Sequence, residues 1–304
     1  MQNRKKEKAI DPSHASPAIA VTAASGKLGR SISRIFSTHG LAGNVRLTSR
    51  NPEKLRLLHS DGFDTVAADY ENGRSMAAVF AGIDVALIIS SMGTDTTRIR
   101  QHRIAIDAAL AAGVKRIVYT SSANAMQAGH MQWTSVHANT ERYLQSCGIS
   151  YTILRVGAYF SNFDYLFQMA MQCHRLFFPN IVKPISLITQ EDVAAAAFAV
   201  LTKPGHDKKV YEILAKEPVS ITDLAQIMTR ILGTRIVAAE IPVEAFVTQL
   251  RKHGLSDDII DLLGAFYTVL SSGEFARTSK DMEILTGQAT TSARSYLNAF
   301  INSA

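Results

Sequence analysis

The sequence predicts an α/β fold, a doubly wound parallel sheet with a smaller, mostly helical C-terminal substrate lobe. Three observations predict it. Short apolar strands alternate with helical stretches from residue 18 to about residue 155. One of those strands, Val85-Ala86-Leu87-Ile88-Ile89, is apolar throughout, as a parallel strand covered on both faces must be. The opening strand, Ile19-Ala20-Val21, passes through small residues directly into a helix. Strand–helix repetition of this kind implies right-handed crossovers between parallel strands, the Rossmann-type arrangement.

The elements follow in order. Residues 1–17 read as a solvated basic tail, with Arg4, Lys5, Lys6 and Lys8 set against Glu7. After the strand at 19–21 a helix is expected over 27–39. Val45-Arg46-Leu47-Thr48-Ser49 is the second strand, and Pro52 suits the first position of a short helix over 52–60. A third strand is expected at 65–69, a helix at 74–80 closed by Gly82, and the apolar fourth strand at 85–89. A helix over 97–112 ends before Gly113. A fifth strand covers 116–121, a helix covers 136–147, and a sixth strand covers 150–155. The dinucleotide-binding domain is therefore placed at 18–155. Residues 156–304 form the substrate lobe, intermixed with the last strands of the sheet. There, helices are expected at 162–173 and 192–201, and a strand at 210–214. Ser220 and Asp223 have capping spacing ahead of a helix to Leu232, and mostly helical chain runs from Pro242 onward with a break at Gly254.

Composition narrows the function. Apolar residues make up 47% of the 304 and charged residues 19%, which is globular rather than disordered. The net charge of +6 is not gathered into an aromatic-studded basic stripe, which argues against nucleic acid and suits attraction of an anionic cofactor. No apolar run reaches the roughly 18 residues a membrane span needs, and no apolar signal core follows the basic start. The two cysteines, Cys147 and Cys173, lack metal-ligand spacing, so a reducing, cytoplasmic setting and no metal are expected. A monomer or homodimer is expected.

The chemistry concentrates at the first turn. Thr22-Ala23-Ala24-Ser25-Gly26-Lys27-Leu28-Gly29 has the spacing A-x-x-G-x-x-G, with Ala23 where a dinucleotide fingerprint carries its first glycine. An alanine there requires a negative φ, since glycine alone takes positive φ freely. Gly26 lets backbone approach phosphate, and Gly29 lets the helix pack on the strand. Thr22, Ala24, Ser25, Gly26, Lys27 and Leu28 are thus candidates for a pyrophosphate held at a helix N-terminus. At the end of the second strand an NAD-specific site carries an acid for the ribose 2′-hydroxyl. Here the residues are Ser49-Arg50-Asn51-Pro52-Glu53-Lys54. A guanidinium from Arg50 and a point charge from Lys54 match a 2′-phosphate, which predicts NADPH over NADH. Asp69 and Tyr70 fall where an adenine would lie, and Ser90 and Ser91 where the nicotinamide ribose would.

These residues, with Ala112-Gly113-Val114-Lys115-Arg116-Ile117-Val118-Tyr119-Thr120-Ser121-Ser122 and the later Thr152-Ile153-Leu154-Arg155 and Asp192-Val193-Ala194, resemble the NmrA-like atypical short-chain dehydrogenases/reductases. The branch they resemble contains the type 2 NAD(P)H:quinone oxidoreductases and the triphenylmethane dye reductases. The resemblance implies NADPH-dependent hydride transfer to a planar conjugated acceptor such as a quinone, a triarylmethane dye or an azo dye. Some members of the family are silent, cofactor-sensing regulators, which is the alternative.

The Tyr and the Lys four residues later that ordinary short-chain dehydrogenases use align with Trp133 and His137. An indole has no proton to give at a useful pKa, so alcohol–carbonyl chemistry through that pair, and an epimerase built on it, are not expected. His137, expected in the first turn of its helix, is a candidate to hold the nicotinamide ribose or to protonate a reduced quinone oxygen; otherwise it is a packed side chain. Tyr159, Phe160 and Phe163 are placed to wall an apolar acceptor pocket, with Phe163 better suited to the core, and Trp133 is a further wall candidate. Tyr159 is paired with His137 as a catalytic candidate, and both, with Phe160, are candidates to touch the cofactor.

Overall fold

A computed structural model describes residues 17–126, 132–251 and 257–303. The expected basic tail, save residue 17, and the expected break at Gly254 lie outside the described residues, and so does the side chain of Trp133. The first half alternates β1 (Ile19–Val21), α1 (Lys27–Thr38), β2 (Val45–Ser49), α2 (Arg56–Ser60), β3 (Asp64–Ala67) and α3 (Gly73–Phe80). It continues through β4 (Val85–Ile88), α4 (Asp95–Ala111), β5 (Arg116–Ser122), α5 (Gln132–Ser146) and β6 (Ser150–Val156). The second half holds β7 (Ala158–Tyr159), α6 (Asp164–Cys173), β8 (Arg175–Phe178), β9 (Leu187–Ile188), α7 (Gln190–Thr202) and β10 (Lys209–Ile213). Last come α8 (Ile221–Leu232), β11 (Val237–Glu240), α9 (Val243–Arg251), α10 (Asp257–Ser272), α11 (Asp281–Thr286) and α12 (Ala293–Asn302).

Seven parallel strands form one sheet in the order β10-β6-β5-β4-β1-β2-β3. The order reverses between β1 and β4, and a sheet of this kind opens a crevice at that switch point, outside the carboxyl ends of the strands. Its seventh strand, β10, comes from the second half of the chain, so the lobe is threaded back into the sheet beyond residue 155.

Both faces of the sheet are covered at its centre, where β1, β4 and β5 are buried along their whole length. On one face α1 and α7 pack through Ile32, Phe36, Val193, Ala197 and Val200. On the other, α3 and α4 pack through Met76, Phe80, Ala105 and Ala109. A separate core fills the C-terminal lobe, built from Phe163, Phe167, Phe178, Phe246, Tyr267 and Leu297. Capping boxes start α7, between Thr189 and Asp192, and α8, between Ser220 and Asp223, so two orphan N–H groups at each start are satisfied reciprocally.

The first turn departs from expectation at Ala23, whose φ is +50° rather than negative. The cause is how tightly the turn is pinned. Thr22 N–H donates to Leu87 O at 3.0 Å, still in the sheet, while Ala24 N–H already donates to Thr48 O at 2.7 Å across on β2. Gly26 N–H then returns to Ala23 O at 3.1 Å. The chain reverses between these bonds, and Ala23 takes the left-handed conformation that a glycine would adopt without strain. Gly29 behaves as expected: a Cβ there would lie 2.4 Å from Ala24 Cα, so only glycine lets α1 sit this close to the end of β1.

Candidate functional site

One cleft of about 700 Å³ runs along the carboxyl ends of the strands, across the switch point. Its walls include Thr22, Ser25, Gly26, Lys27, Leu28, Arg50, Asp69, Tyr70, Ser90, Ser91, His137 and Tyr159, residues far apart in sequence that the fold brings together. Three candidates stand off the wall. Ala24 is fully buried under the turn. Lys54 is exposed on the short 3-10 stretch Pro52–Leu55. Phe160 is 1% exposed and stacks on Tyr296 with centroids 4.6 Å apart, inside the lobe core.

The end of the cleft at β1 and β2 is built for an anion. Helix α1 begins at Gly26, which has no side chain to cap it, and no acid occupies the first turn. Its orphan N–H groups and the positive end of its dipole therefore face the cleft. Ser25 and Ser49 share a hydrogen bond of 2.8 Å beside it, and Arg30 Nε donates to Ser25 O at 3.0 Å, fixing the loop. Arg50, exposed at the end of β2, makes no ion pair among the described residues. The Thr22 hydroxyl is committed to the fold: it donates to Leu87 O at 3.0 Å and accepts Ile89 N–H at 3.0 Å, bracing β1 against the end of β4. Tyr70 Oη lies 2.5 Å from that hydroxyl and 2.7 Å from Ile89 O, so the ring is fixed against the wall. Burial pushes the Tyr70 phenol up, and it stays neutral. The Asp69 carboxylate accepts Glu71 N–H at 3.0 Å and shapes the turn after β3.

Past the switch point the wall is a buried polar network that no local motif announces. Arg98, on the first turns of α4 and 2% exposed, donates through Nε to Ser91 O at 2.8 Å and through Nη2 to His137 Nε2 at 3.1 Å. A guanidinium only donates, so His137 Nε2 is an acceptor and the ring proton is on Nδ1, aimed at Tyr119 Oη 2.9 Å away. His102 is wired the same way. Its Nε2 accepts Ser91 N–H at 3.0 Å, and its Nδ1 faces Thr140 Oγ1 at 2.9 Å. The Thr140 hydroxyl is itself spent on Val136 O at 2.8 Å.

Burial, and then the adjacent Arg98 charge, hold His102 down to about 3. The same causes, with His102 added, hold His137 well below the usual histidine range. His137 also sits in the second turn of α5, which begins at Gln132, not in the first. Both its nitrogens are engaged, Nε2 by Arg98 and the protonated Nδ1 by Tyr119, so in this arrangement it is a fixed, neutral wall group.

The far end is apolar. Tyr159 is half-buried there, its hydroxyl without a hydrogen-bond partner among the described residues, and burial raises its pKa. Leu263 and Phe266 of α10, and Phe275 just after it, complete this wall, with Met92 at the rim. Phe163, by contrast, is fully buried against Phe178 and Tyr267, which is the core role expected of it. The residues that replace Phe160 and Phe163 come from more than 100 positions further along, and only the packing of the helical lobe brings them here. The segment carrying Phe275 is clamped on both sides. Its carbonyl accepts Ser186 N–H at 2.7 Å, and Asn124 Nδ2 donates to Glu274 O at 2.6 Å. Arg277 donates to Asn124 Oδ1 at 3.0 Å and pairs with Glu212.

Among the described residues no group of three or more His, Cys, Asp or Glu is arranged to hold a metal, and no helix is long and apolar enough to cross a membrane.

The same architecture occurs in known proteins. Quinone oxidoreductase 2 of Escherichia coli K12 is 32% identical over 285 residues, 93% of this chain and 99% of that protein. The crystal structure of NADPH-dependent quinone oxidoreductase from Escherichia coli in complex with NADPH superposes with a TM-score of 0.86 at 31% identity, covering 93% of this chain and all of that one. Citrobacter sp. triphenylmethane reductase complexed with NADP(H) gives 0.85 at 29% identity, over 91% of this chain and 98% of that one. The model of the NmrA-like family matches residues 15–284, and the chain belongs to that family.

Proposed function

We propose that this chain is an NADPH-dependent oxidoreductase that delivers a hydride to a quinone or another planar conjugated acceptor. The observation that carries it is the switch-point cleft itself. An uncapped helix N-terminus and an unpaired Arg50 lie at one end of that cleft, and an aromatic wall lies at the other. The activities of the quinone and triphenylmethane reductases that it resembles point the same way.

The residues fit the cofactor. Backbone N–H groups of Lys27 and Leu28 would hold the pyrophosphate, with Gly26 letting the backbone come close, and Arg50 and Lys54 would hold the 2′-phosphate. Asp69 and Tyr70 would border the adenine, and Ser90, Ser91 and Tyr159 the nicotinamide half. NADPH bound there supplies the hydride; the chain's own part is to position the acceptor and to exclude water. His137 is not poised as the acid, since its one ring proton is hydrogen-bonded to Tyr119 Oη. The proton that completes hydroquinone comes from solvent or from the Tyr159 hydroxyl on the apolar wall, unengaged among the described residues.

The test is acceptor-dependent loss of the near-ultraviolet absorbance of NADPH across a panel of quinones, azo dyes and triarylmethane dyes. Turnover with at least one class is expected. Tight NADPH binding with no turnover on any of them would refute the enzyme and leave a cofactor-sensing regulator.

A further inference from the structure

The apolar end of the cleft carries a hydroxyl with nothing to bond. Tyr159 lines the cleft, and its ring packs against the core on the α1 and α7 face of the sheet. Its oxygen has no hydrogen-bond partner among the described residues, yet it is not sealed away. The unpartnered side-chain atoms closed off from solvent among those residues are Gln101 Oε1 and His206 Nε2. A phenol oxygen that is open, unpartnered and carried by a cleft residue faces the space a ligand fills.

The backbone holds it there. Tyr159 ends β7 and pairs with Ile188 of β9. Ser186 ties this strand to the rest of the acceptor wall, since its carbonyl accepts Ala158 N–H at 3.0 Å and its N–H donates to Phe275 O at 2.7 Å. Tyr159 and Phe275 thus stand on segments that share one bonded residue. Three other hydroxyls on this side are committed. Ser121 Oγ donates to Glu141 Oε1 at 2.5 Å, Ser122 Oγ donates to Ala123 O at 3.2 Å, and Ser91 Oγ lies 3.2 Å from His102 Nε2.

The reaction says what such a hydroxyl is for. A hydrogen leaves dihydronicotinamide with its electron pair and bonds to the quinone. The cofactor is oxidised to NADP+, and the quinone is reduced to a hydroquinone monoanion with its new charge on oxygen. A proton, ultimately from water, completes the hydroquinone. Against an apolar wall that oxygen has lost its hydration, and a fixed donor is worth more there than in water. The phenol can donate without ionising, because burial raises its pKa. A triarylmethane cation takes the same hydride at its central carbon and becomes a neutral leuco dye, so no oxygen gains charge.

We propose, resting on the oxidoreductase reading above, that the Tyr159 hydroxyl donates a hydrogen bond to the quinone oxygen that turns negative during hydride transfer, and that it is a catalytic residue for quinones but not for triarylmethane cations.

Tyr159→Phe is the test. It keeps the ring on the core and removes an atom with no partner among the described residues, so the fold loses no hydrogen bond. With a neutral naphthoquinone, kcat should fall at least about tenfold, as loss of one donor to a developing oxyanion does, while with a triarylmethane cation it should change by less than about twofold. A second readout needs no turnover. Calorimetry on protein saturated with NADP+ compares a hydroxynaphthoquinone, an anion near neutral pH with its charge on oxygen, with a methylnaphthoquinone of similar size. The substitution should weaken the anion at least about tenfold and leave the methyl compound unchanged. Unchanged quinone turnover in the variant overturns the inference. An equal loss for quinone and dye, or for the two naphthoquinones, overturns it as well, because the ring alone would then be responsible. Where the dye is not a substrate, the two naphthoquinones take its place as the control. Should the unaltered protein reduce no acceptor, the oxidoreductase reading fails by itself. The binding comparison then decides whether Tyr159 holds a charged oxygen, and equal affinities in the two proteins overturn it.

Discussion

Lowering the pH from 7 to 5.5 should weaken the fold through two residues at its centre. His102 and His137 are neutral in the native state and ordinary in the unfolded one, where a histidine titrates near 6.5. The folded pKa values are depressed, so the unfolded chain binds protons that the native chain does not. Stability is thus complete above about pH 6.5 and is lost as pH falls, until the folded pKa values are reached; for His102 that is about 3. One unit below 6.5 each group costs about 1.4 kcal/mol, and the pair about 3 kcal/mol. Carboxylates contribute little in that interval because their ordinary values lie lower. Protonating His137 in place would set its ring against the Arg98 guanidinium that now donates to it at 3.1 Å. Urea unfolding at pH 7 and 5.5 measures the difference, and His137→Gln, which keeps one donor and one acceptor, should remove about half of the slope. A midpoint that does not move between the two pH values would show that the histidines protonate inside the fold, and the assignment of His137 as a neutral wall group would fall.

The other predictions are more local. Arg50→Asp should weaken NADPH at least tenfold, about 1.4 kcal/mol or more, while leaving NADH little changed; fluorescence titration with both cofactors checks it, and a parallel loss of both would mean the loop was damaged. Gly29→Ala drives a Cβ to 2.4 Å from backbone. It should cost about 2 kcal/mol or more even against the ~1 kcal/mol that alanine gains as a helix former. A thermal midpoint equal to that of the unaltered protein would refute the close approach. Ala23→Gly should do the opposite. It releases a left-handed alanine, a strain of about 1–2 kcal/mol, against roughly 0.5–1 kcal/mol of added chain entropy, so the unfolding free energy should rise by as much as about 1.5 kcal/mol. A loss larger than that would place the methyl among the contacts the turn depends on.

What the sequence disclosed and what it withheld divide along one physical line. The central strands β1 and β4 were legible because a strand covered on both faces has to be apolar. Gly29 was legible because the pitch of a helix fixes which residue meets the strand behind it. Arg50 was legible because the end of β2 lies at a set distance from the first turn in any sheet of this order. Each of these is a rule acting over a few residues or across one strand spacing. Ala23 broke such a rule because the hydrogen bonds to Leu87 and Thr48 fix the turn from strands far along the chain. The protonation of His137 turned on a guanidinium 39 positions away, and the acceptor wall turned on Phe266 and Phe275 from a helical lobe whose docking no spacing encodes. The cofactor end is set by backbone that any Rossmann-type sheet must form, whereas the acceptor end is set by tertiary packing. Recognition of the dinucleotide can therefore persist while the acceptor changes, and residues of the apolar wall such as Tyr159, Phe266 and Phe275 are where a difference in acceptor between members of this family would be written.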